Sequence, residues 1–237
     1  MAVITFNGKR SSDFGLRIVN DVSHESAVYD VEKVEVVGRD GVLLKDNHRL
    51  KPVVKEFPCR VSDKSGMVHA QEGLSEWLGV KGFKPLVLSW DSQYTYLATH
   101  LEGFSIQELA KAFGSIKLSF LVHPIKFKTA SMEFRRVTSG QTLVNSGNVV
   151  AKPIIKITGS GDVDLIINGR HTRLRNLQGG IVLDMFNHLV YFDVLAKWDS
   201  IVRGGDNQLP YLDIGNNVIT WSGNVSVEIA SYIGVKV

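Results

Sequence analysis

Apolar residues recur at every second position through most of this chain, and no other feature restricts its fold as strongly. A period of two places successive side chains on opposite faces of an extended strand, so positions i, i+2 and i+4 share a face. Phe14, Leu16 and Ile18 follow this rule, as do Ile116, Leu118, Phe120 and Val122. Leu86, Leu88 and Trp90 repeat it. The turn-forming Asp91-Ser92-Gln93 then leads into Tyr94-Thr95-Tyr96, which predicts a hairpin. From Pro153 onward the sequence reads as strand and turn throughout: Ile155/Ile157, Val163/Leu165/Ile167, Ile181/Leu183, Val190/Phe192/Val194, Val218/Thr220 and Val225/Val227/Ile229. Asn168-Gly169, the strongest two-residue hairpin signal, sits between two of these runs.

Two segments break the alternation. Around Val68–Leu78 the period lengthens, with Leu74, Trp77 and Leu78 on one helical face and Gly79 as a stop. Ser105 and Glu108 have capping-box spacing, Phe104 and Leu109 have hydrophobic-staple spacing, and Ile106, Leu109, Ala110 and Phe113 make an apolar stripe ending at Gly114. This predicts a second helix. Both helical segments lie in the first half. The stretch from Pro124 to Gly147 is polar and carries Ser-Gly-Gln and Asn-Ser-Gly-Asn turn clusters. The expectation is a mainly β, β-rich α+β chain. Residues 1–131 form a β-sandwich-like domain with one or two helices, and residues 132–237 form an all-β sandwich.

At 237 residues the chain has room for one large domain or two small ones. Its 44% hydrophobic and 22% charged residues exclude a disordered chain, because the apolar surface suffices to offset the entropy of folding. A formal net charge of +3 excludes a polybasic nucleic-acid binder on bulk charge. The charge is near balance in each half, with 17 basic and 15 acidic residues before position 132 and 10 and 9 after it. The single cysteine, Cys59, rules out an internal disulfide scaffold and a four-cysteine zinc site. The N-terminus lacks the basic and apolar regions of a signal peptide. No run of about 18 apolar residues exists to span a membrane, so folding in a cytosol is expected.

No catalytic, cofactor or metal constellation emerges. Thr158-Gly159-Ser160-Gly161-Asp162 holds a Gly-x-Gly, but strand-like residues follow it where a phosphate loop would open a helix, so it reads as a turn. Asp162 and Asp164 share a strand face without a third ligand at metal spacing. His171, Arg173 and Arg175 line one face beside Arg170. An anion-binding stripe is one reading, and a solvated face is favoured because no aromatic residues interleave. Cys59 has no adjacent histidine and reads as a buried thiol. The seven histidines are scattered. Gly38-Arg39-Asp40-Gly41 differs in setting. Two glycines flank an opposite-charge pair between the strand-like Val31–Val37 and Val42-Leu43-Leu44.

In order along the chain, the motifs resemble those of the distal tail proteins of long-tailed bacteriophages. Phe6-Asn7-Gly8 with Asp13-Phe14-Gly15-Leu16 is similar to that family's opening. Val34-Glu35-Val36-Val37-Gly38-Arg39-Asp40-Gly41 resembles its signature, with Val37 where proline is usual. Asn145-Ser146-Gly147-Asn148 through Lys152-Pro153-Ile154-Ile155-Lys156-Ile157-Thr158-Gly159-Ser160-Gly161 resembles the start of its second domain. Asn176-Leu177, Val182-Leu183-Asp184, Leu209-Pro210-Tyr211-Leu212-Asp213-Ile214-Gly215-Asn216-Asn217, Trp221-Ser222-Gly223 and Val225-Ser226-Val227-Glu228-Ile229 continue it. Leu209 stands where the family often has phenylalanine.

This resemblance implies a non-enzymatic structural hub of the virion, located at the tail tip or baseplate and assembled in the host cytoplasm. It implies a hexameric ring of N-terminal domains around a channel that DNA crosses without specific binding, and a galectin-like C-terminal sandwich pointing outward. The implied partners are copies of itself, the tail tube protein, the tail-associated or tape-engaging protein, and receptor-binding or baseplate proteins, without membrane insertion. No cofactor is implied, and at this length the chain is expected to be a member without an inserted carbohydrate-binding module. Gly38, Arg39, Asp40 and Gly41 are the candidate inter-subunit contacts, because an extended hairpin can add to a neighbour's sheet edge. Two other readings stand beside this one. A carbohydrate-binding adhesion module would use an aromatic platform drawn from Trp198, Trp221, Tyr191 and Tyr211. A cell-wall hydrolase would need a positioned acid/base pair.

Overall fold

The computed structural model describes residues 2–19 and 25–237. The protein is mainly β, as the alternation predicts, and its described strands pair antiparallel in every named register. It divides into two compact units, residues 1–126 with 236–237, and residues 127–235.

In the first unit one sheet runs in the order Lys9–Arg10, Ile4–Phe6, Lys84–Leu88, Tyr94–Thr99, Phe113–Val122, Val53–Ser62 and Leu16–Ile18. The pairing of Lys84–Leu88 with Tyr94–Thr99 is the hairpin expected around Asp91-Ser92-Gln93. Its longest ladder pairs Phe113–Val122 with Val53–Ser62, from Phe113 opposite Ser62 to Val122 opposite Val53. The inward positions Phe57, Cys59, Val61, Ile116, Leu118, Phe120 and Val122 are buried, which is the period-two face made physical. The one α-helix among the described residues, Met67–Leu78, buries Met67, Ala70, Leu74, Trp77 and Leu78. Trp77 stacks on Phe14 at 4.7 Å between ring centroids, and its indole N–H donates to the Phe6 carbonyl oxygen at 3.0 Å. The Gly79 N–H donates to the Ser75 carbonyl oxygen and closes the helix where the glycine predicts. The chain's end returns to this unit: Val237 donates to the Pro124 carbonyl and accepts from the Ala27 N–H.

The second expected helix does not form. Gln107–Ala110 is a strand paired with the start of Phe113–Val122, and Leu109 and Phe113 are exposed. Tyr94–Thr99 covers the inner edge of Phe113–Val122 only at Leu121 and Val122, so the near end of that long strand has unpaired backbone groups. The Gln107–Ala110 segment fills this edge. Sheet pairing there outweighs the local helical pattern.

The second unit consists of two sheets around one core. One is ordered Arg135–Val137, Ser226–Ala230, Ile154–Thr158, Gly180–Asp184, Leu189–Phe192, Leu195–Ala196. The other is ordered Gln141–Asn145, Gly215–Trp221, Gly161–Ile167, Arg170–Leu177. Ile155, Ile157, Leu183 and Val227 from the first meet Val163, Leu165, Leu174 and Ile219 from the second in a shared apolar cluster. Asn168 and Gly169 both take positive φ, 51° and 77°, in the two-residue turn that their sequence requires.

Candidate functional site

The most distinctive surface is the hairpin of Tyr29–Glu35 and Val42–Leu50. It forms a two-stranded sheet of its own. Exposed apolar side chains run along it: Val34, Val36, Val42, Leu43 and the 64% exposed Leu44, with Val37 fully exposed near the tip. A soluble hairpin gains nothing by presenting this row to water, and such rows mark interaction surfaces.

Gly38-Arg39-Asp40-Gly41 forms the turn at the end of this arm. Gly38 and Gly41 adopt φ of 82° and 79°, which explains both glycines, and the Arg39 N–H donates to the Val36 carbonyl oxygen. A Cβ placed on either glycine would meet nothing within 4 Å, so among the described residues no chain segment crowds the tip. At the base, Asp30 accepts from Arg49 at 2.6 Å and lies 3.3 Å from the Lys51 ammonium, and the Arg49 contact holds its carboxyl below the usual range. Glu32 and Lys45 pair across the strands at 3.2 Å. The base is thus pinned while the tip projects. Sequence reading found the tip; it missed the exposed valine–leucine row, because alternation alone does not tell a half-buried strand from one with both faces in water.

Elsewhere the side chains singled out from the sequence are structural. Gly159-Ser160 is the turn between two strands, with Thr158 ending one and Gly161-Asp162 opening the next. His171 lies 2.9 Å from Asp164, Arg173 meets Asp206 through both terminal nitrogens, and Arg175 lies 3.5 Å from Asp162. The basic stripe is therefore matched by carboxylates, and Arg173 holds Asp206 down at about 2. Burial pushes the Cys59 thiol up to about 12, which removes it as a nucleophile. Trp198, Tyr211 and Trp221 pack against the second core, so packing accounts for them. Among the described residues no group of three metal-ligating side chains converges, and no helix is long and apolar enough to cross a membrane.

Two of the sequence motifs fix turns through buried asparagines. Asn145 donates to the Val149 and Leu212 carbonyl oxygens and accepts from the Gly147 N–H. A Cβ at Gly147 would lie 2.0 Å from the Gly234 carbonyl oxygen, so only glycine fits there. Asn217 secures the turn that follows Leu212 in the same way.

The fold that emerges is that of a phage distal tail protein. It matches the crystal structure of SPP1 Dit, described as a paradigm of the hub adsorption apparatus in phages that infect Gram-positive hosts. The TM-score is 0.71 at 16% identity, covering 97% of each chain. The likeness is to a structural hub protein rather than to an enzyme. No family model and no curated protein matches the sequence.

Proposed function

We propose that this chain is a structural hub of the tail tip of a long-tailed bacteriophage. Six copies close into a ring, the first unit surrounding the channel and the second facing outward. The ring joins the tail tube to the tail-associated protein, and baseplate or receptor-binding proteins attach to the outer units. Assembly takes place in the host cytoplasm, and the protein acts in the virion without catalysis. The observation that carries this reading is the correspondence of fold over 97% of both chains, which covers both units of a hub protein rather than one shared sandwich.

The arm supplies the physical means. Ring closure needs a heterologous contact, one patch meeting a different patch on the next copy. A projecting hairpin with an apolar row and, among the described residues, outer strand edges without a strand partner suits such a contact, since backbone hydrogen bonds and burial of the valines and leucines both favour it. The near-balanced charge of the first half agrees with a channel wall that does not grip DNA, because affinity for DNA grows with each phosphate neutralised.

Light scattering and negative-stain microscopy test the reading. A ring of six times the monomer mass is expected, with tube or tail-associated protein added where the ring needs a partner. Gly41→Val puts a β-branched residue at φ 79° in open space. It distorts the tip and leaves the cores intact, so a folded monomer that no longer closes rings is expected. Normal rings from this variant would remove the arm tip from the interface. A monomer under all conditions that binds surface glycans would replace the hub with an adhesion module.

A further inference from the structure

The four-stranded sheet of the second unit has one guarded edge and one open edge. The guarded edge is Arg170–Leu177. The loop from Ile201 to Gln208 lies along it, bridging Leu174 to Ile201 and His171 to Asn207, with the Val202 and Gln208 N–H groups donating to the Arg173 and His171 carbonyls. The open edge is Gln141–Asn145. Among the described residues this strand pairs only with Gly215–Trp221, so its outer row of backbone donors and acceptors has no strand partner. Proteins blunt such an edge with charge, proline or a bulge. Gln141-Thr142-Leu143-Val144-Asn145 carries none of these, and Val144 is 56% exposed.

Beside this edge runs Arg135–Val137, the terminal strand of the other sheet, and the two edges frame a cleft of about 350 Å³. Val137, Leu143 and Ile229 contribute apolar surface, and the charged lining residues are Lys128, Arg135 and Arg136 against Glu133. Arg135 and Arg136 are exposed and, among the described residues, enter no ion pair. The arginines of the guarded edge are each held by a carboxylate.

We propose that this cleft receives an extended acidic peptide segment of a partner protein, which adds as a strand to Gln141–Asn145. Backbone hydrogen bonds to the open edge supply cohesion, and alternation supplies specificity. Every second side chain of the added strand points toward the arginines and is a carboxylate. The others continue the outer face of Thr142 and Val144 and are apolar or β-branched. The inference uses the geometry of the second unit alone and is independent of ring formation.

Fluorescence anisotropy on the full chain tests it with a labelled peptide alternating Glu and Val, together with hydrogen exchange. The Glu–Val peptide binds, and exchange slows across residues 141–145 in its presence. R135E/R136E weakens binding roughly tenfold or more. A Lys–Val peptide does not bind, and neither does a Glu–Pro peptide, which keeps the charge but loses the backbone N–H at every second residue and, with its fixed φ, the extended pairing of an added strand. Four results would each overturn the proposal: no binding by the wild-type chain, equal binding of the Glu–Pro peptide, unchanged exchange at 141–145, or displacement of the peptide by a short DNA duplex, which would make the cleft a phosphate site. Should R135E/R136E fail to fold, the exchange pattern of the wild-type chain decides alone.

Discussion

Asn217 is fully buried and uses its amide to capacity. The oxygen accepts from the Asn168 side chain and the Asp213 N–H, and the nitrogen donates to the Asp213 and Gly215 carbonyls, all between 2.8 and 3.0 Å. Asn217→Ala removes all four bonds and strands buried backbone groups, so it should destabilise the second unit by about 2–4 kcal/mol in urea titration. A loss below about 1 kcal/mol would mean that water replaces the amide without cost. The sequence made Asp213 to Asn217 recognisable as a motif. It gave no sign that Asn217 reaches Asn168, 49 residues away. Partners of that kind are set by which strands meet, and no local pattern encodes them.

Local pattern was sufficient for Met67–Leu78, where an apolar face found a core and a glycine ended the helix. It failed for Gln107–Ala110, which had caps and a stripe at helical spacing yet pairs as a strand. The difference lies outside the segment, in the incompletely covered edge of Phe113–Val122. Gly114 marks the contact between the two. A Cβ there would lie 2.7 Å from Ile106 Cγ2 and 3.0 Å from both the Gln107 carbonyl oxygen and Met67 Sδ. Gly114→Val should therefore push the short strand off the edge, costing about 1–3 kcal/mol and accelerating hydrogen exchange at residues 107–110. Gly103→Val, where a Cβ meets nothing within 4 Å, is the control and should leave exchange there unchanged. Unaltered exchange in the Gly114 variant would show that the pairing does not depend on this close approach. The exposed row of the arm and the cleft were illegible for a related reason. Exposure of Val37, Leu43 and Leu44 depends on what fails to cover them. The cleft draws its lining from residues as far apart as Lys128, Leu212 and Ile233.

At the scale of the molecule, the two apolar clusters have no residue in common. One is built on Phe6, Phe57, Trp77 and Phe120, the other on Ile155, Leu165, Leu183 and Ile219. Alternation alone announced sheets; which strands share a core follows from the ladders, and those link Gln141–Asn145 to Gly215–Trp221 across some 70 residues of chain. Each cluster closes over its own sheets, and a segment of roughly 110 residues is large enough to bury a stable core. Residues 127–235 expressed alone should therefore fold with a single cooperative unfolding transition and a dispersed amide spectrum whose resonances overlay those of the full chain. The first unit is expected to behave differently when cut. Removing Lys236 and Val237 takes away the bonds from Val237 to Pro124 and Ala27, as well as the Lys236 ammonium 2.7 Å from the Tyr29 hydroxyl at the base of the arm. Residues 2–126 alone should thus retain their sheet but show faster exchange at Ala27 and a lower melting temperature than the same unit in the full chain. A collapsed, undispersed spectrum from 127–235 would mean that its core needs the first unit to form. It would also undercut the proposed division of labour, in which one unit closes the ring while the other offers its open edge to a partner.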